Sequence, residues 1–166
     1  MSSNEVHRGL FLIDKDKRKV VKTMSNFSRF MKKNKIQKEN TVFPATASLC
    51  DEQGKPLDWT IKPLTTKEND NIRDDCMIDV PVKGKPGMYR PKLDTSKYIA
   101  KMICACVVEP NLYDKELQDS YGVMTPDELL KEMIDDPGEY QAFATFIQKF
   151  NGFDTNFDEK VEEAKN

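Results

Sequence analysis

A single histidine, His7, occurs in 166 residues, and it lies in the first stretch of the chain, residues 1–23. That scarcity excludes His-centred catalytic triads, which need an imidazole beside a nucleophile. Glycine is also sparse, at 7 residues, and no glycine-rich strand-to-helix loop is present. The segment KGKPG (83–87) shares glycine and lysine with a phosphate cradle but lacks the full P-loop pattern. Long apolar runs are missing too. The longest, Met102 to Val108, is far short of the roughly 20 residues that cross a bilayer, and LFLI (10–13) is too brief for the apolar core of a secretory signal. Finally, neither sign of charge is in excess: charged residues make up 33% of the chain, yet the formal net charge is -2. Nothing in that balance points to nucleic acid or to an anionic membrane.

Four cysteines, Cys50, Cys76, Cys104 and Cys106, have no metal-ligand spacing, and two of them sit inside the apolar run. They are expected as reduced, buried thiols, which suits a reducing cytoplasm. The acidic pairs Asp74/Asp75 and Asp135/Asp136 fall at expected helix ends, where capping or solvated carboxylates are the default. No catalytic, cofactor-binding or metal-binding residue is therefore assigned, and the chain is expected not to be an enzyme.

What the chain does have is one strongly apolar stretch, Tyr98 to Val108 (YIAKMICACVV). Cys104 and Cys106 would lie on nearly opposite sides of a helix, so both sides must be covered. Asp94, Thr95 and Ser96 offer N-cap oxygens, and Pro110 stops the run. The spacing predicts a helix at the centre of the fold.

In chain order, residues 1–23 read as a basic, flexible extension, and residues 24–166 as one domain with a 24–93 part and a mainly helical 94–166 part. Ser25 can cap a short helix carrying Phe27, Phe30 and Met31. Thr41 to Ser48 is β-prone though interrupted by Pro44, and Leu57, Trp59 and Ile61 alternate with polar residues, so a hairpin with Trp59 inward is expected. Thr65 and Glu68 make a capping box for a helix reaching about Cys76, with Ile72 and Cys76 inward. Ile78–Val82 and Met88–Leu93 flank KGKPG as a second hairpin, which Pro81, Pro86 and Pro91 confine to a sheet edge or an extended loop. Helices follow: one around Tyr113–Tyr121 ended by Gly122, one opened by Thr125 and Pro126, one from Asp136 and Pro137 to Phe150, and a last amphipathic segment, Asn156–Ala164. The class is α+β, with small antiparallel hairpins beside a helical C-terminal half.

Eight methionines and nine phenylalanines are many for so polar a chain, and methionine suits surfaces that accommodate imperfect partners. The sharpest candidate binding surface is the row Phe143, Phe146, Phe150, Phe153 and Phe157, although core packing is the plainer role for its first members.

From Met24 onward the sequence resembles the XkdN-like family of phage tail assembly chaperones, found in phages and prophages of Gram-positive bacteria. The resemblance runs through MSNFSRFM, DEQGKPLDWTIKPLTTKEND, DTSKYIAKMICACVVEPNL, ELQDSYGVMTPDELLKEM and NGFDTNFDEKVEEAKN, with ELQDSYGVM and NGFD the most specific phrases. It implies a non-enzymatic protein of the host cytoplasm that acts while a tail is built and is absent from the mature virion. The implied client is the tape measure protein, a long, largely helical chain whose apolar faces need cover before tube subunits enclose it. The major tail tube protein, a second copy of the chain and a frameshifted longer form of it are further candidate partners. No cofactor, nucleic acid or membrane is implied.

Two other readings compete. A structural tail component, at the tube end or baseplate, would remain in the virion; a basic-arm nucleic-acid binder would show salt-sensitive DNA retention that is lost without residues 1–23. Two expectations concern the chain ends. Arg18–Val21 can be encoded AGG AAG GTG GTA, like a ribosome-binding site ahead of Met24, which would place residues 1–23 outside the protein made in the cell. Ala164–Asn166 can be encoded GCA AAA AAC, which contains a heptamer suited to the slip that yields a longer form.

Overall fold

A computed structural model describes residues 26–153, and within it short oxygen-bearing side chains set where helices begin. Thr65, Asp94, Asp114, Thr125 and Asp136 each accept from the backbone N–H three residues on. They start α1 (Thr66–Asp75), α2 (Thr95–Cys106), α3 (Lys115–Ser120), α4 (Pro126–Met133) and α5 (Pro137–Phe150). Each such cap contributes about 1 kcal/mol by satisfying a donor the helix leaves open. Thr65 and Glu68 close a complete capping box, and Pro126 and Pro137 occupy the first turns of α4 and α5.

The strands are β1 (Thr41–Phe43), β2 (Trp59–Ile61), β3 (Met77–Pro81), β4 (Tyr89–Leu93) and β5 (Val107–Glu109). β1, β2 and β5 form an antiparallel sheet in that order, with Phe43 opposite Trp59 and Thr41 opposite Ile61. β3 and β4 form a separate two-stranded sheet, Met77 opposite Leu93 and Pro81 opposite Tyr89.

The chain divides into two compact units between Lys38 and Glu39. Described residues of the first include a helical stretch at 26–28 and a 3-10 turn at Lys32–Asn34. The apolar face expected there is exposed: Phe27 is 71% and Phe30 89% accessible, with Met31 also exposed. In the second unit α2 is central, packing on α1, α4, α5 and β5. Met102, Ile103, Cys104 and Cys106 are buried on its successive sides, so the inference from the two cysteines is borne out. Trp59, Ile61, Leu129, Leu130, Met133, Phe143 and Ile147 complete the core. Glu139 ties α5 to the loop after β1: Thr46 Oγ1 donates to it at 2.7 Å and the Ala47 N–H at 2.9 Å.

Several expectations need correction. The apolar run leaves the helix at Cys106, because Val107–Glu109 pair with β2 as a sheet edge, where β-branched valines fit the pleat. β1 ends at Phe43, since Pro44 lacks the N–H to extend the ladder. Leu57 is exposed while Trp59 and Ile61 are buried, the regular strand beginning only at Trp59. The helix expected around Tyr113–Tyr121 starts at Lys115 because Asp114 is its cap. Cys50 is exposed, lying in the turn region between β1 and β2, whereas Cys76, Cys104 and Cys106 are buried. The basic extension 1–23, the cap Ser25, Phe157 and the segment 156–164 lie outside the described residues.

Candidate partner-binding surface

Of the five phenylalanines singled out above, four lie within the described residues, and they grade from core to surface along α5. Phe143 is fully buried, its ring 5.6 Å from Trp59 at an interplanar angle of 78° and 5.6 Å from Phe43 at 15°. Phe146 is half-buried and stacks on Phe43 at 4.3 Å; Phe150, also half-buried, lies 6.1 Å from Phe146 and nearly parallel to it. Phe153 is 39% accessible. The result is a continuous aromatic seam from Trp59 through Phe143, Phe43, Phe146 and Phe150 toward solvent. Offset-stacked and edge-on pairs of this kind contribute about 0.5–1.5 kcal/mol each beyond burial.

Phe43 is the member that sequence reasoning missed. It lies on β1, the edge strand beside α5, and the signal for it was weak: one aromatic ahead of a proline in a three-residue strand. Val42, on the other face of β1, is exposed.

The outer end of the seam is held in place. Asn151 Nδ2 donates to the Ile147 carbonyl at 2.9 Å, and its Oδ1 accepts from the Leu64 N–H at 2.8 Å. Gly152 adopts φ 83°, its N–H donates to the Lys149 carbonyl, and the Phe153 N–H donates to the Gln148 carbonyl. These two bonds make a Schellman stop, which fixes where Phe153 projects.

Elsewhere a concavity of about 350 Å³ is lined by residues that include Asp75, Lys101, Cys104, Tyr113 and Asp127. Its thiol is poorly suited to nucleophilic work: burial pushes Cys104 up to about 12. Asp75 and Lys101 face each other at 3.8 Å with the carboxylate largely solvated, an ordinary surface pair. Among the described residues no group of three or more His, Cys, Asp or Glu side chains is placed to hold a metal ion. Among them too, no helix is long and apolar enough to cross a membrane.

Comparison with known proteins agrees with an assembly role. The model of the phage XkdN-like tail assembly chaperone family matches residues 27–165. The chain is 27% identical over 141 residues to the phage-like element PBSX protein XkdN of Bacillus subtilis, covering 85% of this chain and 94% of that one. It is 28% identical over 141 residues to the uncharacterized protein YqbN of the same organism, covering 85% and 93%. A crystal structure of YqbN superposes with a TM-score of 0.63 at 24% identity, covering 76% of this chain and 96% of that one. That likeness concerns the fold.

Proposed function

Because the chain belongs to the phage XkdN-like tail assembly chaperone family, we propose that it binds the tape measure protein during tail assembly, keeps it soluble and helps tail tube subunits add to it. In this reading it has no catalytic role, works in the host cytoplasm and leaves before the virion is complete. The contact surface is the outer part of the aromatic seam, Phe146, Phe150 and Phe153. Phe143 supports it from within the core.

The observation that carries the assignment of this surface is the gradation along α5. A helix that only closed its own core would bury its last aromatics; here Phe150 is half-buried and Phe153 is exposed beyond a rigid stop. Aromatics anchored at one end and open at the other suit capture of the apolar face of a long helical client.

Co-expression with the tape measure protein encoded by the same phage tests the reading. The expected result is a soluble client that co-purifies with this chain, and a client that stays insoluble and uncaptured overturns it. Mass spectrometry of purified particles tests departure: recovery of this chain at structural copy number would favour a retained tail component instead.

A further inference from the structure

The β3–β4 hairpin contributes no residue to the core, and Met77, Ile78, Met88 and Tyr89 on it are exposed. A lone two-stranded hairpin is marginal in water, which makes so much uncovered apolar surface unusual. Its edges are closed to strand addition. The Val82 N–H donates to Met88 and the Asp94 N–H to Cys76, so alternation turns Met77, Asp79 and Pro81 outward on β3, and Tyr89, Pro91 and Leu93 outward on β4. Pro81 and Pro91 have no N–H, and each edge therefore lacks a donor where a new strand would pair.

The faces remain open. On one, Ile78 opposes Lys92 and Val80 opposes Arg90, so each cross-strand pair sets an aliphatic side chain beside a cation. Lys83 and Lys85 extend the charge into the turn, against Asp79 alone. Among the described residues no ion pair engages these four cations.

We propose that this face binds residues 154–166 of a second copy of the chain. That segment carries Asp154, Asp158, Glu159, Glu162 and Glu163 against Lys160 and Lys165. Its apolar residues Phe157, Val161 and Ala164 are spaced by four and three, one stripe of a helix. An apolar stripe flanked by carboxylates complements aliphatic side chains flanked by cations. Two hairpins would instead repel each other, and a uniform polyanion would gain nothing from Ile78 and Met88.

A second copy is favoured over the same copy by distance. Asn151, at the end of α5, lies against Cys106 at the C-terminal end of α2 (3.4 Å from Nδ2 to Sγ). The hairpin joins the fold at the other end, beside the α2 cap Asp94. The 12 residues of α2 put about 18 Å between these two points. Exchange between two copies closes a symmetric dimer, each tail on the other's hairpin.

The test uses the full chain without any client, so its failure and the failure of the chaperone reading are distinguishable. Sedimentation should show a concentration-dependent dimer, and hydrogen exchange should show protection of 77–93 and 154–166 that rises with it. Arg90→Glu with Lys92→Glu should weaken the dimer about 10-fold or more. Glu159→Lys with Glu162→Lys should do the same, and the combined chain should recover. If the reversed hairpin fails to fold, Arg90→Gln with Lys92→Gln serves with the same expectation. A monomer at every concentration, protection independent of concentration, or no recovery in the combined chain each overturns the proposal.

Discussion

At Glu68 three donors converge: Lys62 Nζ at 2.8 Å, the Thr65 N–H at 2.9 Å and the Thr65 hydroxyl at 2.9 Å. Lys62 foremost, then the two Thr65 bonds, hold the carboxyl at about 2, below its ordinary 4.5. A depressed folded value means that the stability gained is complete above about pH 4.5 and is lost as pH falls toward about 2. Both side chains are more than a third accessible, which limits the pair to about 1 kcal/mol or less. Glu68→Gln keeps the capping geometry but loses the charge. Urea midpoints should therefore differ from the parent at neutral pH and converge near pH 2, and a difference that persists there would point to lost packing. The thiols make a separate prediction. Cys50 is exposed, while burial raises Cys104 to about 12 and Cys106 to about 11, the latter against the lowering hydrogen bond from Asn151. Cys76 is also raised, by burial first. A thiol reagent should label Cys50 quickly in the native protein and the other three only on unfolding, and fast labelling of Cys104 would contradict the packing around α2.

Two helices end in the same way, and both endings lie in the most specific phrases of the family resemblance. At the end of α3, Gly122 has φ 69°, its N–H donates to the Asp119 carbonyl, and the Val123 N–H donates to Gln118. At the end of α5, Gly152 and Phe153 repeat the pair. ELQDSYGVM and NGFD thus spell helix stops, with Gln118 also buried and donating to the Leu112 carbonyl at 2.9 Å. Alanine is strained at a positive φ, so Gly122→Ala and Gly152→Ala should each cost about 1 kcal/mol or somewhat more in denaturant unfolding. Gly152→Ala should in addition impair client capture, because it redirects Phe153; equal capture by both variants would detach Phe153 from the site. These stops, four of the five caps and the central helix were legible because each depends on residues within one turn of one another; the Asp114 cap was not read. The departure of Val107 into a sheet and the placement of Phe43 on Phe146 were not, since they depend on partners 46 and 103 positions away. Local spacing also says nothing of which aromatic in a row stays exposed. Phe143 and Phe146 look alike in sequence, and Phe43 stacks on both; Phe143 has Trp59 against it as well.

For the whole molecule, the core and the proposed capture surface share one helix, so substitutions along it should separate into two classes. Phe143→Ala removes a fully buried ring and should cost about 3–5 kcal/mol, a large part of the stability of a domain this size, giving low solubility whether or not a client is present. Phe153→Ala should leave the chain soluble with a nearly unchanged melting temperature while weakening capture of the tape measure protein. If that variant is insoluble on its own, the Phe153 ring belongs to the core. Salt then distinguishes the two association modes. Capture by an aromatic surface excludes water without needing charge pairs, and should change little between about 0.05 M and 0.5 M salt. Exchange of the acidic segment onto the basic hairpin depends on exposed opposite charges, which the same change in salt screens at under 10 Å. Client capture measured across that range should therefore stay level while the dimer dissociates. If both fell together, capture would itself be electrostatic, and the basic hairpin, not the aromatic seam, would be the surface that holds the client.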